Sequence, residues 1–307
     1  MPWWLEKLLA QIRDGEQALT KVRLSRLSSL SPEETKLFCR MWPDIGESQR
    51  RRVVARLVQL AAQDVELNFD SVFQACLDDP DAGVRARAID GLEECQDCRL
   101  IGKLIALFQG DRMPSVRVRA GRALGRFAML AELRKIHGRY GERLASALLE
   151  AFHDLSQPEP IRAQALEAVA PLSLPQVTEA IQEAYHSSSP RLRSSAITAM
   201  GLNADPAWLD ILTEELGNSD VGLRQRAVRA CAELGEPKAV PHLVQLLDDP
   251  EDDVRRSAIQ ALGEIGGSQA KQVLRGLCQH PEAGVRQLAE AALEALTMEE
   301  GLLSLGF

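Results

Sequence analysis

The stretch DDPEDDVRRSAIQALGEIG, Asp248 to Gly266, decides the fold, because its neighbours repeat it in outline. Upstream stands NSDVGLRQRAVRACAELG (Asn218 to Gly235), and downstream HPEAGVRQLAEAALEAL (His280 to Leu296). Aligned on their Leu-Arg or Val-Arg pairs, Arg224, Arg255 and Arg286 stand 31 residues apart each time. Toward the N-terminus the same ruler finds Arg193 and Arg162 at steps of 31, Arg117 at 45 and Arg85 at 32. Three residues after each of these seven arginines comes an alanine: Ala88, Ala120, Ala165, Ala196, Ala227, Ala258 and Ala289. Weaker echoes at Arg52-Val53-Val54-Ala55 and at Val22-Arg23 carry the frame to about nine units, and a period of roughly 20 to 50 residues is the mark of a solenoid.

Each unit reads as a helix hairpin. Between Pro237 and Gly266, Ala239, Val240, Leu243, Leu246 and Leu247 form one apolar stripe at helical spacing, and Val254, Ala258, Ile259, Leu262 and Ile265 form a second. The polar break DDPED separates them, with Asp249 expected as N-cap and Pro250 in the first turn of the second helix. The apolar residue before each arginine and the alanine four positions on share a face, where the small side chain lets helices approach closely. Ala199, Ala230 and Ala261 mark another crowded position. Four framing arginines have an acid four residues earlier (Asp81, Asp220, Glu251, Glu282), which suits the helix dipole and is expected to accept the guanidinium in its own unit or the next.

DDPDAGVRARAIDGLEE, DPEDDVRRSAIQALGEIG and AVPHLVQLLDDP resemble HEAT repeats, specifically the short bacterial HEAT-like type also found in phycobilin lyases. The resemblance covers Ser71 to Leu296. It implies an all-α fold, a right-handed α-solenoid of stacked helix hairpins, in which the Val-Arg helices line the concave wall of an armadillo-like superhelix. The expected organisation is an N-terminal cap with degenerate repeats over 1–70, the repeat solenoid over 71–297 with an insert near 130–141, and a tail over 298–307.

Ser31-Pro-Glu-Glu34 is a capping box with proline at the first helical position, so a helix should start there. Trp3, Trp4, Leu5, Leu8, Leu9 and Ile12 should form an amphipathic first helix that covers the end of the stack. The long step between Arg117 and Arg162 leaves a surplus near Leu130 to Gly141, with the next paired helix expected from Glu142 to Leu155. This insert holds Arg134, Lys135, His137, Arg139 and Tyr140, and is either a solvated turn or a partner-binding protrusion. The apolar segment Gly301 to Phe307 reads as a folded-back cap, a flexible tail or a docking peptide.

The chain opens without an apolar leader run and has no 18-residue uncharged apolar stretch, so neither a signal peptide nor a transmembrane helix is expected, and a cytoplasmic monomer is. Of six cysteines only Cys95 and Cys98 lie close together, without a second pair for zinc; ordinary reduced thiols are expected over a redox or metal role. None of the five histidines is followed by glutamate, which speaks against a zincin and against the HEAT-repeat iron hydroxylases. Phosphate-binding loops, dinucleotide fingerprints and nucleophile elbows are missing too. No catalytic, cofactor-binding or metal-binding set is therefore expected.

Charge is distributed unevenly. Asp111 to Ala145 holds nine basic residues against three acids, whereas Asp205 to the end holds eighteen acids against nine bases. Positions one, two and five after each framing arginine should face away from the core. Arg87, Arg119 and Arg122, with Arg126 one turn further, followed by Arg226, Arg229 and Arg256, then form a discontinuous stripe. It either binds a partner or pairs with nearby acids such as Asp90, Glu94, Glu233 and Glu264. The reading that results is a non-enzymatic scaffold for a protein partner with an acidic surface. The alternatives are a nucleic-acid binder resembling the HEAT-like DNA glycosylases, disfavoured by the net charge of −8, and a phycobilin lyase-type subunit.

Overall fold

In a computed structural model the chain is described over residues 3–14 and 19–304, the last six of these as backbone alone. Among the described residues there is no strand, and no helix is long and apolar enough to cross a membrane. The chain divides into two compact units, Met1–Phe127 and Ala128–Phe307.

The first unit contains α1 (Trp3–Asp14), α2 (Lys21–Leu24), α3 (Pro32–Met41), α4 (Glu47–Gln63), α5 (Asp70–Cys76), α6 (Ala82–Gly91) and α7 (Leu100–Gly110), and most of α8 (Pro114–Glu132). The capping box forms as the sequence requires: Ser31 Oγ accepts from Glu34 N and Glu34 returns the bond to Ser31 N. Helix α1 buries Leu5, Leu8, Leu9 and Ile12, but Trp3 stands 70% exposed, outside the apolar face on which the pattern puts it. It falls at the first residue of the helix, where there is no preceding turn to lay the ring against. α3 packs on α5, and α4 on α6, so that successive hairpins stack like on like.

The second unit continues with α9 (Gly138–His153), α10 (Glu159–Val169), α11 (Pro175–Tyr185), α12 (Pro190–Asn203), α13 (Leu209–Glu215), α14 (Val221–Leu234), α15 (Val240–Gln245), α16 (Asp252–Ile265), α17 (Gly267–Leu277) and α18 (Ala283–Ser304). The Val-Arg helices α10, α12, α14, α16 and α18 pack in series, each on the next, and every one from α12 on also packs on the helix that precedes it in its own hairpin. Each unit is thus an all-α, solenoid-type stack of helix hairpins.

Packing explains the fixed small residues. All seven framing alanines are 0% exposed, and Ala199, Ala230 and Ala261 are buried as well. Gly201 of α12 lies directly against Ala230 of α14; a methyl group on it would stand 2.7 Å from the Ala230 Cα. One hairpin on, Gly263 meets Ala292 in the same way.

The framing arginines clip the hairpins together, though not to the expected acids. Two of these acids are occupied as helix caps, with Asp81 Oδ1 accepting from Val84 N and Asp220 Oδ1 from Leu223 N, and Asp81 also takes a fork from Arg51 rather than from a framing arginine. The guanidinium instead reaches the carbonyls five and six residues back, as in Arg85, Arg224, Arg255 and Arg286. In two units its other edge meets the acid at the turn of the next hairpin, Arg85 binding Asp111 and Arg224 binding Asp249, whereas Arg255 pairs with Asp252 of its own helix. Asp249 is therefore not the N-cap of α16, a place taken by Glu251; its Oδ1 also accepts from Glu251 N, and Pro250 stays in the turn. A short side chain that closes its own turn and receives a fork from the preceding hairpin serves better there than at the cap.

The surplus between Arg117 and Arg162 goes largely into longer helices. α9 starts at Gly138, four residues before the expected Glu142, with His137 as its N-cap. α8 ends at a turn in which Arg134 takes a left-handed φ of 56° and Lys135 N bonds Leu130 O, a Schellman-type end with arginine in place of glycine. Leu133, Arg134 and Lys135 are exposed there. At the far end the backbone of α18 continues through Ser304, so 298–304 extends the helix, while residues 305–307 lie outside the described residues.

Candidate functional site

In the second unit three consecutive Val-Arg helices, α12, α14 and α16, frame an open polar groove of about 590 Å³. Its lining is set by the repeat frame. Arg226 and Arg229 lie two and five residues after Arg224, and Arg256 lies one after Arg255; all three are exposed, because the alanine three after each framing arginine claims the buried face. Three of the seven arginines singled out by sequence are thus brought together. Arg256 Nη2 pairs with Asp252 Oδ2 at 2.7 Å, one helical turn back. Arg226 Nη1 donates to Thr198 Oγ1 of α12 at 3.2 Å. Arg229 forms no ion pair or hydrogen bond among the described residues.

The remaining four arginines belong to the first unit and differ among themselves. Arg119 Nε pairs with Asp90 Oδ1 at 3.0 Å in a half-exposed bridge, which realises the pairing alternative for that residue. Arg87 is exposed and donates weakly to Gly83 O. Arg122 is exposed and forms no ion pair among the described residues. Arg126 departs from the expected solvent-facing stripe: it is half-buried, donates from Nη2 to Leu92 O at 3.0 Å, and burial lowers its pKa against the opposing pull of Glu93 and Glu94. One turn past the exposed positions, the helix has rotated its side chain toward the adjoining hairpin.

The groove's floor carries a residue that the arginine pattern alone does not reveal. Glu233 sets its carboxylate over Gly201, whose missing side chain makes the room; a methyl there would come within 2.7 Å of Oε2. Crowding by surrounding atoms raises the Glu233 pKa, and Glu264 and Glu167 raise it further, with Arg229 opposing. The groove continues past Glu233 to Gln260 and Glu264. The signal for this acid row was in the frame, since Glu233 and Glu264 both lie nine residues after their arginines.

Other polar clusters serve packing. Glu215 accepts from Tyr185 Oη, Arg193 Nη2 and Asn218 Nδ2, each at 2.7 Å; burial pushes its pKa up, and these three donors more than offset it. Asp79 accepts from Trp42 Nε1 and Arg50 in the core of the first unit. Cys95 is buried, which drives its thiol up to about 11, and Cys98 is partly exposed. Among the described residues no group of three or more His, Cys, Asp or Glu side chains could hold a metal ion.

Residues 209–294, which include α14, α16 and the groove's arginines, match the family model of HEAT repeats. Over this stretch the chain is similar to HEAT repeats. No curated protein matches the chain in sequence. Among solved structures, the complex of CpcE and CpcF of phycocyanin lyase from Nostoc sp. is similar at 16% identity, over 87% of this chain and 95% of that one, with a TM-score of 0.49. YibA of Escherichia coli is similar at 19% identity over 78% and 96%, with a TM-score of 0.45. Human deoxyhypusine hydroxylase is similar at 21% identity over 87% and 96%, with a TM-score of 0.37.

Proposed function

We propose that the chain is a non-enzymatic interaction scaffold that holds a protein partner along its Val-Arg helices. Arg226, Arg229 and Arg256 contact acidic residues of that partner; in the first unit, taken by itself, Arg87 and Arg122 are exposed. The observation that carries this reading is Arg229: a guanidinium without an ion pair, beside two others, in an open groove built from three successive HEAT-type hairpins. Stacked repeats supply an extended surface of this kind for many shallow contacts. A phosphate chain fits less well, because Glu233 and Asp253 line the same groove and would repel it.

The test is capture of partners from the native host on the purified chain and on its Arg229→Glu variant, read by quantitative mass spectrometry. A host protein retained by the wild type and lost with the variant supports the reading. Equal recovery of every captured protein contradicts it.

A further inference from the structure

α14 and α16 carry charge in the same order along the groove. Arg226, Arg229 and Glu233 are spaced i, i+3, i+7 on α14, and Arg256, Gln260 and Glu264 are spaced i, i+4, i+8 on α16. Such spacings keep each trio on one helix face. With a rise of about 1.5 Å per residue, the Cα of each trio's glutamate lies roughly 10 to 12 Å beyond that of its first arginine, toward the helix C-terminus. The six side chains all border the groove or its continuation. It therefore has one edge with three arginines, beside which Asp253 also lies, and one acidic edge.

Pairing within the chain is partial: Arg256 meets Asp252, and Arg226 meets Thr198. Arg229 has no ion pair, and Glu233 has Glu264 and Glu167 as like-charged neighbours with Arg229 alone opposing them. Carboxylates held near one another on a fixed scaffold repel, and an incoming cation relieves that repulsion. A uniformly acidic ligand would satisfy the arginines and worsen the acidic edge. A uniformly basic one would do the reverse.

Resting on the reading of this groove as a protein-binding surface, we infer that the bound segment carries both charges in segregated order: carboxylates against Arg226, Arg229 and Arg256, and a lysine or arginine between Glu233 and Glu264. Its two charged groups stand roughly 10 to 12 Å apart, the length of about two helical turns or of three to four extended residues. The groove thereby fixes the direction in which the segment lies, since reversal sets like charge on like.

The experiment uses the full chain and two fluorescent synthetic peptides of identical composition. One has a glutamate block, a short alanine spacer and a lysine block; the other alternates glutamate and lysine. By anisotropy at about 0.15 M salt, the segregated peptide binds at least ~tenfold more tightly, and Glu233→Gln with Glu264→Gln erases the preference. The preference also weakens as pH falls into the range where Glu233 takes up its proton. Equal affinity for the two peptides, binding of neither, or a preference that survives the double substitution overturns the inference. If the peptides are not discriminated while Arg229→Glu still loses a host protein, the inference falls and the groove reading stands; if Arg229→Glu keeps every host partner, both fall.

Discussion

Arg224 of one hairpin and Asp249 of the next meet fork to fork, with Nε donating to Oδ2 at 2.9 Å and Nη2 to Oδ1 at 3.0 Å, and both residues are almost sealed from solvent. The pair joins neighbouring hairpins, and the arginine's remaining donor closes its own turn. Substituting Arg224 by alanine strands a buried carboxylate, which costs on the order of 3 kcal/mol when a buried pair is broken from one side. Arg119→Ala breaks a half-exposed bridge to Asp90 and should cost under about 1 kcal/mol. Comparable denaturation midpoints for the two variants would refute the clip.

The same pair has a pH signature. Burial pushes the Asp249 carboxyl up, but the Arg224 fork and the Glu251 N–H more than offset this and hold it below the usual carboxylate range. A depressed folded pKa means stability that is present above the unfolded value, about 3.9, and lost as pH falls through the folded one. Asp249→Asn should therefore be destabilised relative to wild type at pH 7, with the gap narrowing on acidification. A gap that stays constant with pH would show that the carboxylate charge is irrelevant.

Glu233 works in the opposite sense. Its folded pKa is raised, so its ionised form is worse off in the fold than in the unfolded chain at neutral pH, and the penalty vanishes as pH falls below the unfolded carboxylate value, about 4.3. Glu233→Gln should raise the melting temperature at pH 7.5 and match the wild type near pH 4. An equal shift at both pH values would point to packing instead.

Close helix approach is tested at Gly201. An added methyl would press on the Ala230 backbone at 2.7 Å, so Gly201→Ala should cost roughly 1 to 3 kcal/mol by overpacking. Gly110, with nothing within 4 Å of an added Cβ, is the control and should be neutral or slightly stabilised. Urea melts that rank the two the other way would contradict the packing described for α12 and α14.

The helix hairpins were legible in the sequence because a 31-residue frame repeats the same buried alanine and the same small contact residue. The capping box at Ser31 was equally plain, since both of its bonds are local. The arginine's partner was not, because an acid four residues upstream and one in the next hairpin's turn look alike until the turn closes. The informative row lay six residues before each framing arginine, where Asp79, Asp111, Ser156, Ser187, Asn218, Asp249 and His280 are all short or imidazole side chains able to accept a hydrogen bond. In the site, Arg226, Arg229 and Arg256 could be read from their offsets. Arg126 could not, because four residues past Arg122 the helix face has drifted by only about 40°, which is enough to separate an exposed guanidinium from a half-buried one. Trp3 misled for a different reason, since a periodic pattern does not register where a helix begins.

The central claim is that the groove's arginines meet a protein through local charge. Its most direct measurement is the association of a captured host partner with the wild type, with Arg229→Glu and with Lys238→Glu, which makes the same charge change on a segment outside the groove lining. Arg229→Glu should slow association and weaken binding at least ~tenfold, while Lys238→Glu should behave as the wild type. Equal losses from both substitutions, or none from Arg229→Glu, would contradict it.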